Sequence, residues 1–492
     1  MNPTILTVLL ILGTALVRLG FAWAVGLGVD ESYMVASGRT WSLGYFDHPP
    51  AAWWLSWGAA HLAGTEATPI VRLPFIILFA LSTWLTYRLG ERLAGPRAGL
   101  WAAVTLNLSP VFGITTGTWV LPDGPLVCFL LAAALCLAHA LSQPGRAPGR
   151  WWCAAGLFAG LAMTAKYSAV LTLGGAVLFL LLDRDHRHWL RRPAPYLAGI
   201  LALLVFTPVV LWNATHGWAS FAFQGERATG LRFRPLAPFE VLGGEALFVL
   251  PWIWAPMMVL WIGALRHGTG LRRLLAFLAA PPIVVFALIA AWSGQRVLFH
   301  WAAPGYLMLF PLLGAWIADR IDRIWVRRTL AGTAILAVAA VTVISVQTRF
   351  DVLGNGLASV MRKDPTIEGV NWTSLRANLT DRGLLPPGTV VGVPNWRDAG
   401  KIAYGLGPDV TVICLSRDAR QFGLTAPAAA HVGQDVLILI PEHADRVAAE
   451  LAPVFERLER LDPAPVTLRG RVLRQVAVIR GHRLLHWPPA GS

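Results

Sequence analysis

The sequence is short of charged residues and of cysteine, and these two shortages exclude several classes of protein. Only 14% of its 492 residues are charged, whereas about a quarter is usual in a soluble domain. The four cysteines show no paired spacing, so we expect neither a disulfide framework nor a zinc site. We find no internal repeat and no low-complexity linker.

Long apolar segments fill the first 346 residues, and 55% of the chain is hydrophobic. Apolar runs of about 20 residues have the length needed to cross a bilayer core. The first run has no small-residue cleavage site, which favours a retained span over a cleaved signal. We predict a polytopic α-helical membrane domain, residues 1–346, with about eleven transmembrane helices near 5–25, 72–91, 98–112, 124–141, 152–165, 168–182, 195–212, 246–265, 274–292, 301–318 and 330–346.

The net charge of +14 comes mostly from arginines in short loops, where they act as orientation signals. We therefore expect membrane lipids and no nucleic acid among the partners. Sixteen basic residues lie in one set of loops and seven in the opposite set. The positive-inside rule then places the N-terminus in the cytoplasm and the tail outside. Most acidic residues of the membrane domain fall on the outer side.

The tail, residues 347–492, has ordinary polarity and predicts a small α/β domain outside the membrane. It has no glycine-rich phosphate loop after a strand, and its expected role is a lid or docking surface. Four β-like runs occur at Val390–Val393, Val410–Leu415, Val436–Ile440 and Val472–Ile479, and a helical pattern covers Ala444–Leu461.

Carboxylates at span ends on the outer face are the first functional signal. Asp30 and Glu31 open a first outer loop of some forty residues, whose aromatic residues suit helices in the interface plane. Asp123 opens a later span from the same face. A carboxylate placed there can act as a general base. The alternative for Asp30 and for Asp123 is a helix N-cap.

Basic residues on the same face form a candidate phosphate site, because converging cations bind phosphate. Snorkelling to lipid phosphates is the alternative for each of them. The members are Arg72, Lys166 with Tyr167, Arg296 and His300. A second set suits a donor or acceptor pocket or a plain interfacial helix: Asn213, His216, Glu226 and Arg227, with Asp47 and His48 from the first loop.

The motifs Asp30-Glu31, Asp47-His48-Pro49-Pro50 and Arg72-Leu73-Pro74 occur in this order. Together with later motifs they resemble bacterial glycosyltransferase family 39, which includes protein O-mannosyltransferases and lipid A aminoarabinose transferases. The likeness continues through Asn107–Pro110, Pro122–Pro125, Ala165–Tyr167, Trp212-Asn213, His300-Trp301, Asn395–Gly400 and Arg420–Phe422.

The resemblance implies a GT-C membrane fold and inverting transfer of a sugar from polyprenyl (undecaprenyl) phosphate. The expected acceptor is a cell-envelope lipid or glycan, such as lipid A or lipopolysaccharide, at the periplasmic face of a bacterial inner membrane. Asp30 matches the family's proposed catalytic carboxylate, Glu31 its neighbour, and Asp123 the second acidic position. Asp47-His48 replaces the Glu-Lys of aminoarabinose transferases, so the sugar is not implied.

No cofactor is required by this chemistry, because oriented cations can stabilise a departing phosphate. A divalent metal at Asp47 and His48 is left open, although two adjacent residues are poor evidence for a site. Two other functions remain: a protein O-mannosyltransferase, and a transporter or flippase for a lipid-linked sugar. Transporters often have paired repeats with broken helices, and this sequence has no such pairing.

Overall fold

The computed structural model describes residues 2–142, 148–226, 233–293, 297–354, 356 and 364–487. The chain forms two compact units, each made of separate stretches of sequence. The first unit comprises Met1–Leu19, Leu43–Ala52 and Leu73–Ala339. The second comprises Gly20–Ser42, Trp53–Arg72 and Ala340–Ser492. The predicted division into residues 1–346 and 347–492 stays a prediction about which part lies in the membrane.

Helices make up most of the described residues before the tail, as expected for apolar segments rich in alanine and leucine. In chain order they are α1 (Pro3–Ala24), α2 (Val29–Ser37), α3 (Ala51–Ala63), α4 (Thr68–Ala94), α5 (Pro96–Leu108), α6 (Asp123–Ser142), α7 (Pro148–Ala165), α8 (Ala169–Leu182), α9 (Pro193–Thr215), α10 (Ala219–Glu226), α11 (Ala237–Val249), α12 (Pro251–His267), α13 (Gly270–Trp292), α14 (Ala303–Leu307), α15 (Phe310–Ala318) and α16 (Ile324–Phe350).

Among the described residues, six helices are long and apolar enough to span a membrane: α1, α4, α6, α9, α13 and α16. Two bent helix pairs raise this number to at most eight. A polytopic helical membrane protein is therefore confirmed, but the count of eleven spans is not. The predicted span 246–265 crosses a 115° bend, where Leu250 has a φ of 84° and Pro251 starts a new helix.

The second unit contains a five-stranded mixed sheet with strand order β2-β1-β3-β5-β4. Its strands are β1 (Val390–Val393), β2 (Thr411–Cys414), β3 (Val436–Ile440), β4 (Phe455–Leu468) and β5 (Arg471–Leu484). The first three are parallel, with Val391 beside Val412 and Leu437, and β5 runs antiparallel to β3 and β4. The helices of this region are α17 (Thr373–Asp381), α18 (Trp396–Leu406), α19 (Phe422–Thr425) and α20 (Ala444–Leu451).

The helix predicted over Ala444–Leu461 is wrong in its second half. The helix α20 ends at Leu451, and the chain enters β4 at Phe455. Pro453 lies in the short turn between them and cannot donate a backbone hydrogen bond to continue the helix. The turn at Arg469 and Gly470, both with positive φ, then pairs β4 with β5.

The helix α2 packs against α18 within the second unit, and a glycine permits the close approach. A Cβ atom built on Gly400 would lie 2.7 Å from the Cα atom of Tyr33. Asn395 begins α18 by accepting a hydrogen bond from the backbone N–H of Asp398 at 2.9 Å. The tail helix α18 therefore supports the first-loop helix α2 directly.

We predict that Gly400→Ala lowers the thermal unfolding midpoint of the detergent-purified protein. The added methyl group overpacks the contact with Tyr33 and should cost about 1–3 kcal/mol. The matched control is Gly58→Ala in α3, where no atom lies within 4 Å of the added Cβ. An equal midpoint for both variants in differential scanning fluorimetry would disprove the close packing of α2 on α18.

Candidate active site

The helix α2 presents two adjacent carboxylates that have different surroundings. Gly28, not Asp30, is the N-cap residue of α2, so the capping alternative for Asp30 is wrong. Glu31 completes the cap, because its Oε2 atom accepts a hydrogen bond from the Gly28 backbone N–H at 2.9 Å. Glu31 is buried, whereas Asp30 is exposed.

Arg72 holds Glu31 in a buried, bidentate ion pair. Its Nε and Nη2 atoms donate to the two carboxylate oxygens of Glu31 at 2.8 and 2.5 Å. Arg72 also donates to the carbonyl oxygens of Val25 at 2.7 Å and Gly26 at 2.8 Å. The structure thus places Arg72, a predicted phosphate ligand, in contact with Glu31 and with the backbone before α2.

The surroundings of Asp30 change the proton affinity of its carboxyl group. Desolvation by the surrounding protein raises the pKa of its carboxyl group above the usual aspartate value. The positive charges of Arg420 and Arg397 oppose that shift, and the negative charges of Glu31 and Glu368 add to it. A raised pKa makes the ionised carboxylate a stronger proton acceptor.

Residues of the tail surround α2 and were given no role by the sequence. Arg420, which has a φ of 48°, places its guanidinium 3.6 Å from the ring centroid of Trp396. The Tyr33 ring meets the Trp396 ring edge to face at 5.1 Å. The Tyr33 hydroxyl accepts a hydrogen bond from the backbone N–H of Gln421 at 3.1 Å. The resemblance in Asn395–Gly400 and Arg420–Phe422 was the sequence signal that could have identified this region.

In the first unit, Asp123 and Lys166 form an ion pair at the start of α6. The Lys166 ammonium lies 3.0 and 3.1 Å from the two carboxylate oxygens of Asp123. About nine-tenths of each side chain is buried. His300 and His48 lie close enough to Asp123 to interact with it electrostatically. The structure therefore brings four predicted residues of this unit together, and Asp123 pairs with a cation.

Tyr167 follows Lys166 and is held by α10. Its hydroxyl forms a 2.7 Å hydrogen bond with the Ser220 hydroxyl, and its ring packs edge to face on Phe221. Asn213 is fully buried and accepts a hydrogen bond from the Phe221 backbone N–H at 3.2 Å. Asn213 thus fixes the start of α10 beside Tyr167.

The other residues that the sequence predicted for the donor and acceptor sites have varied surroundings. His216 is exposed and stacks on Trp212 at 4.3 Å. Asp47 is buried, and its backbone carbonyl accepts a hydrogen bond from the Gln224 side chain. Three predicted groups lie outside the described part of the chain: Arg227, Arg296 and the side chain of Glu226.

Within the described residues, no three His, Cys, Asp or Glu side chains converge as the ligands of a metal ion would. Asp47 and His48 remain the only pair that the sequence raised for a metal. Whether the protein needs a divalent metal is therefore addressed under the proposed function.

Comparison with known proteins identifies the fold. Residues 47–212 match the family described as dolichyl-phosphate-mannose-protein mannosyltransferase. Two crystal structures of ArnT from Cupriavidus metallidurans, one apo and one bound to undecaprenyl phosphate, are similar to this chain at a TM-score of 0.64. The similarity covers 96% of this chain and 97% of ArnT, at 17% and 18% identity. The chain has the GT-C fold of ArnT. The resemblance to bacterial glycosyltransferase family 39 is thereby confirmed.

A curated relative is similar over part of the ArnT-like chain. Lipid A galacturonosyltransferase RgtD from Rhizobium johnstonii is 24% identical over 290 residues. The match covers 56% of this chain and 58% of the relative. The chain thus spans a little over half the length of that relative.

We predict that Lys166→Met destabilises the protein, because it leaves the buried Asp123 carboxylate without its cation. Removing one partner of a buried ion pair costs about 3–5 kcal/mol. The double variant Lys166→Met/Asp123→Asn should recover most of the lost midpoint in thermal unfolding. Arg234→Met, which removes the cation of an exposed ion pair with Glu240, is the control. A single variant as stable as this control would contradict the burial of the Asp123 pair.

Proposed function

We propose that this chain is an inverting glycosyltransferase that moves a sugar from polyprenyl phosphate to a cell-envelope lipid such as lipid A. The reaction takes place at the periplasmic face of the bacterial inner membrane, with the N-terminus in the cytoplasm and the tail in the periplasm. Support comes from the ArnT fold over 96% of the chain, from the mannosyltransferase family match and from the named activity of the relative.

The observation that carries the proposal is the contrast between Asp30 and Glu31. Glu31 is occupied by Arg72 and by the Gly28 backbone. Asp30 is accessible, and the surrounding protein raises its pKa. Of the two adjacent carboxylates, Asp30 is therefore the one that suits a general base.

The reaction begins when the Asp30 carboxylate removes the proton from an acceptor hydroxyl. The oxygen then attacks C1 of the donor sugar from the face opposite the phosphate. The bond between C1 and the phosphate oxygen breaks, and the electron pair leaves with polyprenyl phosphate. One displacement at C1 inverts its configuration. The anomeric configuration of the product therefore tests the mechanism directly.

The leaving phosphate is stabilised by Lys166 and by His300. Lys166 supplies a fixed charge, because Asp123 holds its ammonium at 3.0 Å, and His300 supplies a hydrogen-bond donor beside it. Preorganised charge of this kind stabilises developing negative charge without reorganisation. Arg296 and Tyr167 remain proposed members of this group. Arg72 is assigned to positioning α2, because its guanidinium contacts Glu31 and two backbone carbonyls.

The first donor to test is polyprenyl-phosphate galacturonic acid with lipid A as acceptor, because the relative is named for that transfer. Polyprenyl-phosphate mannose with a protein acceptor is the second candidate, and the match of residues 47–212 favours it. We propose that no metal is required for either transfer, so EDTA should leave the rate unchanged.

A donor assay decides between an enzyme and a transporter. The detergent-purified protein is incubated with donor labelled in the sugar, with and without lipid A. We expect labelled lipid A and an equal amount of free polyprenyl phosphate. A transporter reconstituted in vesicles would move the labelled donor across the bilayer and release no polyprenyl phosphate.

Asp30→Asn should lower kcat by about 100- to 10,000-fold, because it removes the general base. Folding and donor binding should be retained, since the amide is nearly isosteric with the carboxylate. The control is Asp445→Asn, which changes an exposed aspartate of the same unit. Turnover by Asp30→Asn within a few-fold of the control would remove Asp30 from the base role.

The turnover number kcat should also decrease at acid pH, because Asp30 would become protonated. The base works only when ionised, so kcat should fall as the pH decreases through the raised pKa of Asp30. The midpoint of the acid limb should therefore lie above the ordinary aspartate value. A pH profile of kcat that stays flat down to that ordinary value would contradict this environment for Asp30.

A further inference from the structure

Three consecutive carbonyl groups lie between the end of α1 and the start of α2, and buried cations bind all three. Arg72 donates to the carbonyls of Val25 and Gly26 at 2.7 and 2.8 Å. Lys401 donates to the carbonyl of Leu27 at 2.7 Å. These three carbonyls lie outside both helices, and buried backbone carbonyls need hydrogen-bond donors. The cations therefore fix the segment that leads into α2.

Lys401 uses all of its hydrogen-bonding capacity in this position. Its Nζ atom also donates to the carbonyls of Val370 at 2.8 Å and Glu368 at 3.2 Å. The side chain is 3% exposed. An ammonium group has three N–H donors and no acceptor, so its three donors match three carbonyls. A guanidinium group could also donate here without titrating.

The same short segment is held by backbone pairing. The Gly26 backbone N–H donates to the Gly369 carbonyl at 2.7 Å, and the Leu27 N–H donates to the Asn371 side-chain oxygen at 2.9 Å. Both polar backbone groups of Leu27 are thus bound by the tail. Leu27 lies only three residues before Asp30. A shift of its carbonyl should therefore also shift the start of α2, which follows directly in the chain.

We propose that Lys401 is a positioning residue for the general base, because its ammonium ties the Leu27 carbonyl to the tail and so fixes the helix that carries Asp30. This inference rests on the proposed function of Asp30. It assigns the tail helix α18 a role in catalysis without contact with substrate.

The charge state of Lys401 should then control the rate. Burial lowers its pKa to about 8; Glu368 and Glu31 act to raise it, and Arg72 and Arg474 act to lower it further. The Trp372 ring also faces the ammonium, at 5.9 Å. A neutral amine has two N–H donors instead of three, so one of the three carbonyls loses its hydrogen bond above this pKa. We expect kcat to decrease with rising pH through about 8.

The test compares the wild type with Lys401→Arg and Lys401→Met between pH 6 and pH 10. The wild type should show an alkaline limb in kcat near pH 8. Lys401→Arg keeps a cation that does not titrate in this range, so the limb should disappear while activity at pH 7 is retained. Lys401→Met should lower kcat at pH 7 by about 100-fold with the donor KM unchanged, since a misplaced base loses rate.

Hydrogen exchange of the segment from Leu27 to Tyr33 supplies a second measurement that does not depend on activity. Lys401→Met should lose protection there at pH 7, and the wild type should lose it above pH 8 after correction for the intrinsic exchange rate. Lys401→Arg should keep it. The control Arg446→Met removes an exposed cation of the same unit and should change neither measurement.

The outcomes separate the two proposals. A wild type that transfers no sugar refutes the proposed function, and hydrogen exchange still decides whether Lys401 positions α2. An active wild type whose alkaline limb persists in Lys401→Arg refutes the positioning role. Unchanged protection of Leu27–Tyr33 in Lys401→Met refutes it as well, even if that variant is less stable.

Discussion

Glu31 and Arg72 form an ion pair that is almost sealed from water, with only 3% and 1% of their side chains exposed. Burying two charges is costly unless their hydrogen bonds are satisfied. Here the carboxylate accepts from the guanidinium and from Gly28, and the guanidinium also binds the carbonyls that follow α1. Because breaking any of these contacts would leave a buried charge unsatisfied, the segment around Asp30 has one strongly favoured geometry.

The ion pair gives two neighbouring carboxylates different chemistry. An Asp-Glu dipeptide has two groups of similar intrinsic acidity, and both could serve as a base. The ion pair with Arg72 holds the Glu31 carboxylate in place, whereas desolvation of Asp30 raises the pKa of that carboxyl group. The first unit contains a second largely buried ion pair, in which the Asp123 carboxylate holds the Lys166 ammonium in place at 3.0 Å.

The sequence allowed the important side chains to be found more readily than their roles. Sorting charges by membrane side brought Asp30, Asp123 and Lys166 to attention, because an isolated charge between apolar segments is conspicuous. Their pairing could not be predicted, since Asp123 and Lys166 are 43 residues apart. Arg72 was assigned to phosphate because it shares the outer face with other cations, and only the structure reveals its contact with Glu31. The role of Lys401 carries no local signal, because its partner Leu27 is 374 residues away in the sequence.

The sequence also predicted some elements of the fold correctly and others wrongly. Apolar runs located β1, β2 and β3, which are buried on both faces, but β4 was read as helix. Its leucines Leu458 and Leu461 are three residues apart among charged neighbours, as on an amphipathic helix. Pairing with the next strand, β5, decides the outcome: Leu458 lies opposite Gly481 and Leu461 opposite Val478. The predicted count of eleven spans is not confirmed, because several of the predicted spans are short or bent apolar helices.

The second unit joins Gly20–Ser42 to Ala340–Ser492, and this has a consequence for biosynthesis. Leu27 leaves the ribosome 374 residues before its partner Lys401. At the usual elongation rates of about 5–20 residues per second, that delay is about 20–75 s. Throughout this interval the helix bearing Asp30 lacks the contact of its leading segment with Lys401. A nascent chain therefore completes the packing of α2 against the tail only after translation has passed α18, and premature termination yields a chain without that packing.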